Sequence, residues 1–254
     1  IEEGITGIND RLTRMFKNAI SVTLPSSLES IGENNFSNFT KLETVTIPDN
    51  SKLKYIYTRA FERCTSLKSI NLPQGLESIY SRAFYTCSNL TNLKLPSTLT
   101  RIDELAFSNG PRFKNNELTV PKGVTTIKSR SIYNINDLKT INVENGVTKI
   151  EKYAFADNDS LKNVYLPASI TSIDVLACKS YNYEKYSACD IYIDKYKDSI
   201  PCYSNWGTDG TIYWKTRDFK NTTDNTVVIM LQIKHIQVHL LLLILLLVVM
   251  MLNL

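Results

Sequence analysis

Histidine is the commonest general base and metal ligand, and this 254-residue chain carries two, His235 and His239. Four residues apart, they would share one metal ion if the segment were helical. No glutamate accompanies them in a zincin-like motif, no third ligand is evident, and both sit in an apolar tail. Polar residues at a membrane boundary are the simpler reading of the pair. The long segment before them holds no histidine at all. Its carboxylates are numerous but scattered, and its glycines form no phosphate-binding loop. The sequence therefore predicts no catalytic group, no metal site and no cofactor.

Cysteine offers a second kind of chemistry. Cys64 and Cys87 are 23 residues apart, while Cys178, Cys189 and Cys202 fall near the end of the polar part of the chain. Residues one repeat apart lie at a strand spacing, about 4.8 Å, which is within disulfide range. The Cβ vectors of such a pair run parallel, so two buried free thiols are expected at Cys64 and Cys87. Cys189 and Cys202 are placed to bridge, and an odd total leaves at least one thiol over. Asn-x-Ser/Thr triplets, acceptors for N-linked glycans in a secreted eukaryotic protein, occur at Asn35, Asn38, Asn89, Asn158 and Asn221. Net charge is only +4 and its carriers are dispersed. Nucleic-acid binding, which needs a basic stripe, is excluded as an expectation.

What positions these residues is a repeat. LKSINLPQGLESIYSRAFYTC, residues 67–87, recurs on both sides as Leu-x-x-Ile-x-Leu-Pro-x-x-Leu-x-x-Ile-x-x-x-Ala-Phe. The proline slot falls at Glu2, Pro25, Pro48, Pro73, Pro96, Pro121, Glu144 and Pro167, in steps of 23, 23, 25, 23, 25, 23 and 23 residues. The Ala-Phe slot stays in phase: Asn35-Phe36, Ala60-Phe61, Ala83-Phe84, Ala106-Phe107, Ser131-Ile132, Ala154-Phe155 and Ala177-Cys178. The two longer steps are two-residue insertions, one between Pro48 and Leu53, the other between Phe107 and Pro121. So short a unit closes no core alone and must stack on its neighbours. Val45/Ile47, Ile70/Leu72, Leu93/Leu95, Leu118/Val120, Ile141/Val143 and Val164/Leu166 alternate with polar residues, the mark of a strand with one face buried. The proline ends the strand because it lacks a donor. The second apolar pair, Leu76 and Ile79 in the quoted coil, turns the chain inward, and Phe36, Phe61, Phe84, Phe107, Ile132 and Phe155 should form a buried column.

This phrase resembles the BspA-like, or Treponema pallidum-type, branch of the leucine-rich repeats over residues 1–178. Glu2, Glu144, Asn35, Ser131-Ile132 and Cys178 depart from its pattern. The resemblance implies a leucine-rich repeat solenoid, mostly β, with one parallel strand per coil of 23–25 residues in a curved right-handed superhelix. It also implies a secreted or surface-displayed microbial protein that adheres to matrix or cell-surface partners. Such a protein is a binding module and not an enzyme.

Three segments follow. Residues 1–214 form the solenoid. Ile1–Ile8 aligns with Val143–Ile150, so the chain is expected to begin inside a coil, with repeats or a leader upstream. In residues 179–214 the pattern decays into a last coil and cap. Ile191/Ile193 and Thr211–Trp214 are expected as strands there. Tyr181, Tyr183, Tyr186, Tyr192, Tyr196, Tyr203, Tyr213, Trp206 and Trp214 are expected to shield the end of the core, the alternative being an aromatic patch for glycans or a partner. Residues 215–226 are a polar linker, and 227–254 a hydrophobic, membrane-directing tail. Within that tail, 236–254 is just long enough for one span and also resembles a GPI-attachment signal.

Outward-pointing residues of the strands align across coils into a mostly uncharged hydroxyl and amide surface. Ser69, Asn71, Asn92, Lys94, Thr119, Asn142 and Tyr165 on it are the expected ligand face, for a protein or glycan on another cell or in extracellular matrix. A second candidate column, Tyr57, Arg59, Tyr80 and Arg82, carries residue types favoured as interface anchors. The alternative is a structural spacer in a larger surface protein, with no ligand of its own.

Overall fold

The apolar alternation before each proline becomes a parallel ladder. The computed structural model describes residues 1–8, 13, 15–179, 189–194, 206, 208 and 210–214, all within the compact unit Ile1–Lys215. The linker, the tail with His235 and His239, Cys202, Asn221, and Tyr181, Tyr183, Tyr186, Tyr196 and Tyr203 lie outside the described residues. No helix among the described residues is long and apolar enough to cross a membrane.

Strands Ser21–Thr23, Thr44–Thr46 and Ser69–Ile70 form one stack. Glu117–Val120, Thr140–Val143, Asn163–Leu166, Asp190–Ile193 and Ile212–Trp214 form another. Partners sit one repeat apart, as in Val45 with Ile70 and Ile141 with Val164, so each apolar residue covers its counterpart in the next coil. After the strand each proline opens a tight turn: Leu76 N donates to Pro73 O at 3.2 Å and Val124 N to Pro121 O at 3.0 Å. Glu144 keeps the turn and spends its carboxylate on the Lys122 amide at 2.9 Å.

Beyond the turn, each coil makes a second strand of two residues, an addition to the one expected. Gly7–Ile8, Ser30–Ile31, Tyr55–Ile56, Ser78–Ile79 and Arg101–Ile102 pair in parallel, as do Thr126–Ile127, Lys149–Ile150 and Ser172–Ile173. Its isoleucine points inward and is buried in every coil. The second apolar pair thus turns the chain and also extends a ladder.

The third side is the Ala-Phe turn. Phe36, Phe61, Phe84, Phe107, Ile132 and Phe155 are all at most 2% exposed. The first four rings stack, with centroids 5.2, 5.3 and 5.9 Å apart. Alanine precedes the ring because the backbones approach closely: Phe36 N donates to Ala60 O, Phe61 N to Ala83 O and Phe84 N to Ala106 O, at 2.8, 2.8 and 2.9 Å. Two positions per coil, two before and two after the ring, lie at positive φ without being glycine. They are Asn34, Arg59, Arg82, Leu105, Arg130 and Tyr153, then Asn38, Arg63, Thr86, Asn109, Asn134 and Asp157. This conformation turns the peptide planes so that amides face the next coil, as Asn38 N does to Glu62 O and Arg63 N to Tyr85 O. Left-handed backbone costs on the order of 1 kcal/mol or more at each such residue, and the ladder offsets it.

Both strand faces are interrupted around the second insertion: the first-strand stack ends at Ser69–Ile70 and resumes at Glu117–Val120, and the second-strand stack ends at Arg101–Ile102 and resumes at Thr126–Ile127. There Phe113, not Leu118, pairs with Leu93. The turn-side ladder crosses the break, through Phe107 N to Ser131 O at 3.1 Å and Asn109 N to Tyr133 O at 3.0 Å.

Two substitutions test this packing. Phe84→Ala removes a ring with 0% exposure held between two others, and should cost about 3–5 kcal/mol in chemical denaturation. A loss below about 1 kcal/mol would place the ring outside the core. Ser131 fills an alanine slot with a buried hydroxyl that finds no hydrogen-bond partner among the described residues. Ser131→Ala should therefore stabilise the protein, by about 1 kcal/mol; a destabilisation of that size would show the hydroxyl to be satisfied.

Candidate functional site

Because side chains alternate along a strand, the residues between the buried ones must point outward. All seven expected face residues do so. Ser69, Asn71, Asn92, Lys94, Thr119 and Tyr165 are exposed and Asn142 is half-buried. Register places them in rows across the coils. Thr119 sits opposite Asn142, Asn142 opposite Tyr165, Tyr165 opposite Tyr192, and Tyr192 opposite Tyr213. On the other side of the break, Ser69, Asn71 and Asn92 line a shallow groove of about 450 Å³ with Thr44, Thr46 and Lys68. Lys94 and Thr119 face each other across a cleft of about 360 Å³ at the break itself. The surface is thus one face in two parts, joined at that cleft.

Tyr192 and Tyr213 belong to this face and not only to the cap. Tyr165 stacks on Tyr192 at 4.8 Å and Tyr192 on Tyr213 at 4.7 Å, with interplanar angles of 19° and 7°. Tyr165 and Tyr213 remain 43% and 45% exposed, so the ladder is a solvent-facing, rigid aromatic surface. Burial between its neighbours, with Asp190 nearby, holds the Tyr192 phenol above its ordinary range, so it presents a neutral hydroxyl. Sequence reasoning missed it, although the alternation of Ile191 and Ile193 around Tyr192 is a signal that points it outward. Among the described residues the cap is formed by two tryptophans: Trp206 is fully buried and Trp214 packs against it with ring centroids 5.8 Å apart.

The second column is drawn together, but with different partners. Tyr57 stacks on Tyr80 at 4.9 Å. The guanidinium over Tyr80 is that of Arg101, 4.4 Å from the ring centre and also paired with Asp103 at 2.8 Å. Arg59 pairs with Glu62 at 3.7 Å. Arg59 and Arg82 are half-buried at the positive-φ turn, and Tyr57 at 37% exposure is the most open member. Arg101 was missed because its alignment with Tyr80 comes from the next coil's second strand.

The cysteines occupy structural positions. Cys64 and Cys87 are buried free thiols, as expected, and they donate to Phe36 O at 3.0 Å and Phe61 O at 3.1 Å. Asn158 takes the same slot two coils past the break and bonds Ile132 O and Phe155 O at 2.8 and 2.7 Å. Burial pushes the Cys64 thiol up to about 12 and Cys87 well above its ordinary value. Cys189 is a buried thiol whose neighbours are Cys178 and Thr208; Cys202, the bridging partner suggested by spacing, lies outside the described residues. Hydrogen bonding to Cys189, with burial, pushes Cys178 up. Among the described residues no group of three or more His, Cys, Asp or Glu is placed to hold a metal ion.

The chain belongs to the family described as the BspA type leucine rich repeat region, whose model matches six copies over residues 6–115 and 112–197. No curated protein matches the sequence. Among solved structures, it is similar to the pneumococcal vaccine antigen PcpA, with 16% identity, 77% of this chain and 68% of that chain covered, and a TM-score of 0.44. It is also similar to a leucine rich cell surface protein of Faecalibacterium prausnitzii A2-165, with 19% identity, 84% of each chain covered and a TM-score of 0.32. A leucine-rich repeat protein of Bacteroides ovatus ATCC 8483 has 16% identity, 84% and 88% coverage and a TM-score of 0.25.

The thiol geometry has a pH consequence. Folding holds Cys64 and Cys87 protonated, with their pKa values raised. Their contribution is complete below the unfolded thiol value of about 8.5 and is lost as pH rises from there toward about 12. Stability should fall over that window, and less so in Cys64→Ser. An identical alkaline slope in the variant would contradict the assignment.

Proposed function

We propose that this solenoid is a surface-displayed or secreted protein-interaction module, adhesin-like, that holds a matrix or cell-surface protein or glycan against its strand face. It performs no catalysis. The observation that carries this reading is the outward row Thr119–Asn142–Tyr165–Tyr192–Tyr213. It runs across five strands, is mostly uncharged, and ends in three stacked, solvent-facing tyrosines. Tyrosine supplies large contact area at little entropic cost, and the flanking hydroxyls and amides supply adaptable hydrogen bonds. Display at a cell surface rests on the family to which the chain belongs. Attachment through residues 236–254 rests on the apolarity of that tail.

The spacer reading makes the opposite prediction, that the chain captures nothing. Full-length protein, immobilised and exposed to a solubilised extracellular-matrix extract and a glycan array, should retain a ligand. Replacing Ser69, Asn71, Asn92 and Lys94, and with them Tyr165 and Tyr213, by bulky charged residues should abolish that capture and leave the chain folded. Undiminished binding by this variant would move the site to the Tyr57/Arg59/Tyr80/Arg82 column.

A further inference from the structure

The break in the strand face has a definite geometry. Between the Pro25 and Pro48 coils Leu24 N donates to Thr46 O at 2.9 Å, closing the ladder at its proline end. Among the described residues no such bond joins Leu95 to Thr119. Instead Arg112–Lys114 runs beside Leu93: Leu93 N donates to Arg112 O and Lys114 N to Leu93 O, both at 3.2 Å. Leu118 meanwhile pairs with Ile141 on the far side. An extra lane of backbone therefore lies between the Pro96 and Pro121 coils at the level of Phe113. The chain leaves that lane through a 3-10 turn, Lys114–Asn116, in which Asn115 and Asn116 both have positive φ. Past the turn the lane is open. It closes again where Gly123 meets the Leu99 carbonyl, so near that a Cβ would stand 2.5 Å from the oxygen.

The open stretch is the cleft of about 360 Å³, with Leu93, Leu95, Phe113 and Leu118 in its lining and Lys94, Ser97, Glu117 and Thr119 beside them. Its two walls carry main-chain groups suited to a strand. In a parallel ladder alternate residues serve opposite neighbours. Lys139 N donates to Asn116 O and Glu144 N to Val120 O, so Asn116, Leu118 and Val120 face the Glu144 coil. Glu117 and Thr119 then face the cleft, and the Glu117 amide is already used by Lys114 O. On the opposite wall Leu93 serves the lane, and Leu95, two residues on, faces it as well. Among the described residues, neither Leu95 nor Thr119 has a main-chain partner across the cleft.

We propose that this cleft receives a short extended peptide segment of a protein partner. The segment enters in line with Arg112–Lys114 as one added strand. Its backbone bonds to Leu95 and Thr119, and it seats one apolar side chain against Leu93, Leu95, Phe113 and Leu118. Strand addition supplies affinity through the main chain and specificity through the pocket for alternate side chains. A peptide is favoured over a sugar because the walls offer strand-spaced amide and carbonyl groups over an apolar floor. The inference rests on the strand-face reading above and narrows its ligand to a peptide.

A phage-displayed heptapeptide library panned on the immobilised full-length protein tests it. Enriched sequences should share one apolar residue flanked by alternating polar residues. Synthesised and labelled, they should bind Ser97→Trp/Thr119→Trp, which fills the cleft from its rim, at least tenfold more weakly than the unaltered protein. Thr119→Pro removes the amide that faces the cleft while sparing the bonds to the Glu144 coil, and should weaken binding by a similar factor. Lys41→Glu, an exposed position off the strand face, should bind normally. Peptides that bind both cleft variants at full strength overturn the proposal, as does the absence of enrichment. Loss on Ser69→Glu/Asn71→Glu, with both cleft variants binding at full strength, overturns the cleft but leaves the face reading standing. Matrix-ligand capture abolished only outside the face would instead defeat that reading.

Discussion

One ladder holds this molecule together, the hydrogen bonds from each ring position to the residue before the ring in the next coil. It runs from Phe36 to Ala60, Phe61 to Ala83, Phe84 to Ala106, Phe107 to Ser131, Ile132 to Ala154 and Phe155 to Ala177, and ends from Cys178 to Trp206. Neither strand face has that continuity: one stack stops at Ser69–Ile70 and the other at Arg101–Ile102, and both resume only past the insertion. The ladder demands a small residue before the ring, so that backbones approach, and accepts left-handed backbone on either side so that amides point along the axis. Around a spine so constrained, the strand face is free to carry an insertion. Phe113 illustrates it: the ring that opens the sheet is itself buried, edge-on against Phe107 at 5.6 Å.

Polar atoms inside the spine obey the same geometry. The slot three residues after the ring looks back at a carbonyl of the preceding coil, and a donor there is satisfied: Cys64, Cys87 and Asn158 each use it. Asn35, in an alanine slot, bonds the Gly32 amide at 2.7 Å. A buried polar group costs little when its partner is built in and much when it is not. This accounts for the chemical quietness of the core thiols. Their burial and their hydrogen bonds are consequences of stacking.

Much of this was legible in the sequence. The period, the ring column, the buried strand residues and the outward direction of Ser69, Asn71, Asn92, Lys94, Thr119, Asn142 and Tyr165 all follow from spacing alone. Less legible were features set by where a coil meets its neighbour. The second strand is two residues long, too short to show alternation. The insertion before Pro121 announces extra residues, but its path depends on Phe113 reaching the core, which pattern does not encode. Tyr192 and Tyr213 were read with the capping aromatics because the 27-residue step to Asp194 hides their register. In the structure that register is Tyr165↔Tyr192↔Tyr213, and it turns three separate residues into one surface.

The central claim is that the turn-side ladder is continuous where the strand faces are not. Residue-resolved amide hydrogen exchange on the full chain tests it most directly. Phe107 and Asn109, whose amides cross the junction, should be protected as strongly as Phe61 and Phe84, while Leu95 and Thr119 exchange rapidly. Rapid exchange at Phe107 and Asn109, with Phe61 and Phe84 still protected, would contradict the account and show two separately stable stacks.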